Sequence, residues 1–139
     1  MQGPPPPAAD AAYIVLVEDE PMIGRILEFK LRMEGHRVTW VRTVAAAEAL
    51  LRAGDVDLLL SDVTLDEDGC ALAGRVDAAP WRPRAGVVLM PEQRDTAAQA
   101  RCRDAAVPVV LKPFKPTVVA AMLRRLLDAA PDRIPAPPA

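Results

Sequence analysis

Lysine is scarce in this chain. Of 17 basic residues 14 are arginine, and only Lys30, Lys112 and Lys115 are lysine. A lysine at a chemically critical position therefore stands out. Histidine is scarcer still, with His36 alone, and it reads as a turn residue before a strand. Cysteine is limited to Cys70 and Cys102, far apart and without metal-ligand spacing, which excludes a disulfide framework or a zinc module. They read as two ordinary thiols in a reducing cytoplasm. Neither charge sign dominates: the net charge is −2, so no global basic field exists to hold nucleic acid by its phosphates. No apolar run approaches the ~18 residues of a membrane span. Met1 to Asp10 lacks the basic and apolar regions of a secretory signal.

What is present is one domain. The chain has 139 residues, and eight of its 15 prolines fall in the ends, at Pro4 to Pro7 and at Pro131, Pro135, Pro137 and Pro138. The reading is a flexible proline-rich tail over 1–12, a domain over 13–130 and a second such tail over 131–139. A domain of that size buries roughly two-thirds of its unfolded surface and needs no staples. The 51% hydrophobic content fits a globular core.

Short apolar runs alternate with amphipathic stretches. Strands are expected at Tyr13 to Val17, Val38 to Val41, Val56 to Leu60, Gly86 to Met90 and Val107 to Leu111. Helices are expected from Pro21 to Gly35, from the Thr43 cap to Gly54, from Cys70 to Ala79, from Gln93 to Ala105 and from Pro116 to Ala130. Several strands are continuously apolar, which means burial on both faces. The expected fold is α/β, a doubly wound parallel sheet of five strands with helices on both faces.

In such a sheet the site lies beyond the carboxyl ends of the strands. Glu18, Asp19 and Glu20 follow the first run. Ser61 and Asp62, then Val63 to Gly69, follow the third, and Lys112-Pro113-Phe114 follows the fifth. Glu18, Asp19, Asp62 and Lys112 are thus expected at one edge. Clustered carboxylates repel, and a hard cation such as Mg²⁺ relieves them. A lysine opposite can hold a carboxylate or a phosphoryl group. This is a kit for phosphoryl transfer, where positioning and charge neutralisation do most of the catalysis. Asp66, Glu67 and Asp68 read as a solvated acidic loop.

The blocks Ile14-Val-Leu-Val-Glu-Asp-Glu20, Leu58-Leu-Leu-Ser-Asp-Val63 and Leu111-Lys-Pro-Phe114 resemble, in order and spacing, the receiver domain of bacterial two-component response regulators. The resemblance covers Tyr13 to Ala130. It implies the flavodoxin-like receiver fold with strand order 2-1-3-4-5. It implies that Asp62 is the phosphoacceptor, taking phosphate from a histidine kinase or phosphotransfer protein, and that Lys112 contacts the phosphoryl group. Glu18, Asp19, Asp62 and the backbone carbonyl of Thr64 would hold Mg²⁺. The Lys112–Pro113 bond would be cis. Self-phosphorylation and autodephosphorylation would be the only chemistry, so the chain is not expected to be an enzyme in the ordinary sense. It would signal in the cytoplasm through a downstream protein or a phosphorelay, without nucleic acid or membrane. The face between the fourth and fifth helices is the family's common dimer surface. No output domain such as a DNA-binding helix-turn-helix is read after the final helix.

The sequence also departs from that family. The position that usually carries Thr or Ser is Met90, followed by Pro91, and the usual aromatic switch position is Val109. Two other readings compete. One is a pseudo-receiver, an interaction module working without phosphorylation, favoured by Met90 and Pro91. The other is an aspartyl phosphatase on a similar fold, which needs a second Asp where Thr64 stands.

Overall fold

The computed structural model describes residues 3–133. The outermost parts of the expected tails, 1–2 and 134–139, lie outside the described residues. The elements run β1 (Tyr13–Val17), α1 (Pro21–Met33), β2 (Arg37–Val41), α2 (Val44–Ala53), β3 (Leu58–Asp62), α3 (Gly69–Asp77), β4 (Val87–Met90), α4 (Thr96–Ala105) and α5 (Pro116–Ala129). The sheet is parallel with the order β2-β1-β3-β4.

Local chemistry starts each helix. Pro21 and Pro116 open α1 and α5, where a missing N–H costs nothing. Thr43 caps α2 through the Ala46 N–H, Asp68 caps α3 through the Cys70 N–H, and Asp95 caps α4 through the Ala98 N–H. The strands then sort their side chains by alternation. Val15, Val17 and Leu59 point to one face and pack under α2, α3 and α4 with Leu51, Leu72, Val76 and Cys102. Ile14, Leu16, Leu58 and Leu60 point to the other and pack under α1 and α5 with Leu27, Leu31, Val119 and Leu123. The continuously apolar runs are buried on both faces for this reason.

Two expectations need correction. The third strand lies two residues later than the apolar run suggests, because Ser61 and Asp62 continue the ladder although they are polar. The expected fifth strand, Val107 to Leu111, is not a continuous ladder. It occupies the edge beside β4 but joins it through two isolated parallel bridges, Leu89 with Val109 and Glu92 with Lys112. The Leu89 N–H donates to the Pro108 carbonyl and the Val110 N–H to the Leu89 carbonyl, both at 3.0 Å; the Lys112 N–H then donates to the Pro91 carbonyl at 2.9 Å. The next bond in that rhythm runs from residue 91 to the Val110 carbonyl. Proline has no N–H to make it, so the ladder breaks at Pro91.

Candidate functional site

Register builds the site. Val17 pairs with Ser61 across β1 and β3, so Glu18 emerges beside Asp62. Asp62 in turn pairs with Met90 across β3 and β4. Lys112 arrives from the edge segment, immediately before the cis Lys112–Pro113 peptide. Glu18, Asp62 and Lys112 are all buried, while Asp19 is exposed at the rim. One carboxylate oxygen from each of Glu18, Asp19 and Asp62 lies within 4.8 Å of the others. The Lys112 Nζ is 2.5 Å from Glu18 Oε1 and 3.2 Å from Asp62 Oδ2.

The backbone around Asp62 orients it. Its Oδ1 accepts the Val63 N–H at 2.8 Å, which leaves Oδ2 toward Lys112. The Ser61 hydroxyl donates to the Asp62 carbonyl at 2.8 Å. Gly69 packs so closely on this turn that a Cβ there would lie 2.2 Å from the Asp62 carbonyl oxygen, so no larger residue fits without shifting Asp62. Gly69 also donates its N–H to the Val63 carbonyl at 2.8 Å, closing a bridge between Thr64 and Asp68. That bond uses the Val63 carbonyl and not that of Thr64.

Electrostatics bears on Glu18 and Lys112. Burial pushes the Glu18 carboxyl up to about 7; the Lys112 hydrogen bond opposes this and the Asp62 charge adds to it. Burial works against the Lys112 charge, but its bonds and ion pairs with Glu18 and Asp62 outweigh that and hold it above the ordinary lysine range. Lys112 therefore stays a cation between two carboxylates. The donor set is hard oxygen from three carboxylates, which suits Mg²⁺ and not a soft metal.

The other expected residues are distributed as follows. Met90 is fully buried and packs with the α1–α5 face of the core. Val109 is 39% exposed at the sheet edge, so neither offers a polar group to Asp62. The acidic loop is solvated as expected but also structural: Asp66 Oδ1 accepts the Val44 N–H of α2 at 3.0 Å, and Asp68 caps α3. His36 precedes β2 as expected, yet it is buried and its Nε2 has no partner.

Two residues at the end of β2 belong to the site although no motif in the sequence marks them. The Trp40 Nε1–H donates to the Glu18 carbonyl at 2.8 Å, and Arg42 donates to the Asp19 carbonyl at 2.7 Å. Together they hold the main chain of the acidic pair from the neighbouring strand. The Trp40 ring lies against Gly24, where a Cβ would come within 2.1 Å of it. The available signal was position: Trp40 and Arg42 close the second apolar run, next to the first strand end with its acidic pair.

Known proteins share this fold. The family described as response regulator receiver domain matches residues 14–124. The swarming motility regulation protein RssB of Serratia marcescens is 46% identical over 57 residues, covering 40% of this chain and 26% of that protein. The chain spans half or less of the length of the first curated relatives it matches. The signal receiver domain of a signal transduction histidine kinase from Syntrophus aciditrophicus is 29% identical with a TM-score of 0.79, covering 91% of this chain and 98% of that one. The receiver domain of the sensor histidine kinase PA1611 from Pseudomonas aeruginosa, solved with a magnesium ion coordinated in its active site cleft, is 26% identical with a TM-score of 0.78, covering 86% and 99%. With three acidic side chains and one lysine gathered at the carboxyl edge of a doubly wound sheet, and the family match running over most of its length, the chain belongs to the response regulator receiver domain family.

Proposed function

We propose that the chain accepts a phosphoryl group on Asp62 from a phosphohistidine of a histidine kinase or phosphotransfer protein, and passes the signal on by protein contacts or phosphate relay. One observation carries this reading: Asp62 Oδ2 lies 3.2 Å from the Lys112 Nζ, inside a cluster that also holds Glu18 and Asp19. The Asp62 oxygen attacks phosphorus, the P–N bond to the imidazole breaks, and the imidazole keeps the electron pair and takes up a proton. Lys112 receives the transferring oxygens, and burial strengthens that contact. Glu18, Asp19, Asp62 and the Thr64 carbonyl are the groups that would hold Mg²⁺, which supplies charge neutralisation when bound. The only turnover is self-phosphorylation and hydrolysis of the resulting acyl phosphate.

The surface next to the site fits a helical partner. Met22, Ile26, Phe29 and Met33 of α1 are all exposed, at spacings of four, three and four that line one helix face. Ile23, Ile26, Pro113, Phe114 and Pro116 line an adjoining hollow of about 180 Å³ that reaches Lys112. The stripe therefore leads to Lys112, the partner of Asp62. The reading places the chain in the cytoplasm of a bacterium; no helix among the described residues is long and apolar enough to cross a membrane.

The direct test is incubation with Mg²⁺ and a small acyl phosphate or phosphoramidate, followed by intact mass measurement beside Asp62→Asn. A phosphoryl adduct absent from the variant supports the proposal; no adduct, even with a phosphorylated partner, overturns it. One observation favours the second reading, a module that works without phosphate: Met90, beside Asp62 in the register, brings a thioether where a hydroxyl would bond a phosphoryl oxygen. Such a bond to a charged group contributes about 1.5–3 kcal/mol, so its loss mutes the conformational response by roughly one to two decades. Met90→Thr is expected to enlarge the phosphorylation-linked change in amide spectra. The same change in both proteins contradicts a muted switch.

A further inference from the structure

The two cysteines, 32 residues apart in sequence, meet at the seam between α3 and α4, with Cys70 Sγ 3.8 Å from Cys102 Sγ. Both are free thiols; Cys102 is buried and Cys70 half-buried. We propose that Cys70 and Cys102 form a redox modification site, closing under a hydroperoxide to a disulfide that fastens α4 to α3 beside the phosphoacceptor loop.

Three observations carry this. The first is distance. A disulfide needs the sulfurs at about 2.05 Å, so they have only about 1.8 Å to travel. The second is the weak seating of α4. Its buried residues are Ala98 and Cys102, so small adjustments of the helix meet little packing resistance. The third is location. Asp68 receives the Cys70 N–H at 2.9 Å and pairs with Arg101 Nε of α4 at 3.4 Å. The thiols thus lie under a polar tie between the Asp62 loop and α4.

The chemistry balances as a two-electron oxidation. The half-buried Cys70, as its thiolate, attacks a peroxide oxygen; the S–O bond forms, the O–O bond breaks, and the leaving oxide takes a proton. Cys102 Sγ then attacks the Cys70 sulfur; the S–S bond forms and the S–O bond breaks, with water leaving. Two thiols and one hydroperoxide give one disulfide, one alcohol or water from the peroxide, and one further water. A dithiol reverses the reaction by exchange. Burial and the neighbouring Cys102 push the Cys70 thiol up to about 12. Closure is therefore slow at neutral pH and accelerates about tenfold per pH unit through the alkaline range.

The full chain is treated with hydrogen peroxide, denatured under alkylation, and analysed by intact mass and peptide mapping. The expected product is monomeric, lighter by two hydrogens, with the Cys70 and Cys102 peptides joined and separated again by dithiothreitol. Its melting temperature exceeds that of the reduced form, and its rate of formation rises about tenfold from pH 8 to pH 9. Cys70→Ser and Cys102→Ser each abolish the joined peptide. Two thiols still free after oxidation, disulfide-linked dimers in place of the internal bond, or a Cys70 sulfinic acid with Cys102 still reduced each overturn the proposal. Those three outcomes are read on the unmutated protein, so they decide the matter even where a variant fails to fold.

Discussion

At the residue scale the site depends on side chains of very different legibility. Asp62, Lys112, Glu18 and Asp19 stand at strand ends, where a parallel sheet exposes its chemistry, and the pattern of apolar runs alone located them. Trp40 did not announce itself, because a tryptophan ending a strand looks like core until its Nε1–H is seen on the Glu18 carbonyl. Removing that bond while keeping an aromatic ring is a direct test. Trp40→Phe is expected to weaken Mg²⁺ binding by up to about tenfold, since a neutral hydrogen bond contributes about 0.5–1.5 kcal/mol, while far-UV dichroism stays unchanged. Isothermal titration with Mg²⁺ reads this out; equal affinity in both proteins removes Trp40 from the site. The cysteines illustrate the opposite failure. Their sequence separation hides a contact of 3.8 Å, because packing of α4 on α3 is a tertiary fact that no local spacing encodes.

At the element scale the edge of the sheet is the informative place. The fifth strand was legible as an apolar run, yet it holds to β4 by isolated bridges only. Its weakness comes from the residue just after β4, Pro91, whose missing N–H leaves the Val110 carbonyl without its ladder donor. Pro91→Ala restores the donor. The expected result is a new slowly exchanging amide at residue 91 and stronger protection of Lys112. The net stability change stays within about 1 kcal/mol, because the added bond is offset by the greater freedom of the unfolded chain. Rapid exchange at residue 91 in the variant contradicts this cause of the break. Helix starts, by contrast, were readable at single positions: Thr43 and the two prolines at α1 and α5 each act through local backbone bonds.

At the scale of the whole molecule, two buried titratable groups away from the site shape its pH response. Burial works against the Asp57 charge, but hydrogen bonds from Arg133, the Tyr13 N–H and Arg84 outweigh it and hold the carboxyl below its usual range. Asp57 thus ties the stretch after α5 to the base of the sheet, a contribution present above the unfolded value near ~3.9 and lost as pH falls through the folded one. His36 acts at higher pH. Burial, with Arg124 adding, holds it below its ordinary value against the smaller pull of Glu34 and Asp128. The unfolded chain takes up a proton near pH ~6.5 while the folded one resists, so stability declines as pH drops from about 6.5 through the folded value. His36→Leu is expected to raise the melting temperature more at about pH 5.5 than at about pH 7.5, relative to the unmutated chain; an equal difference at both pH values contradicts this role for His36. The central claim remains that Asp62, buried beside Lys112 and two further carboxylates, accepts phosphate. It is tested most directly by intact mass after incubation with Mg²⁺ and a small phosphodonor. The expected result is one phosphoryl group gained by the unmutated chain and none by Asp62→Asn; an unmodified mass for both, or an equal gain in both, contradicts it.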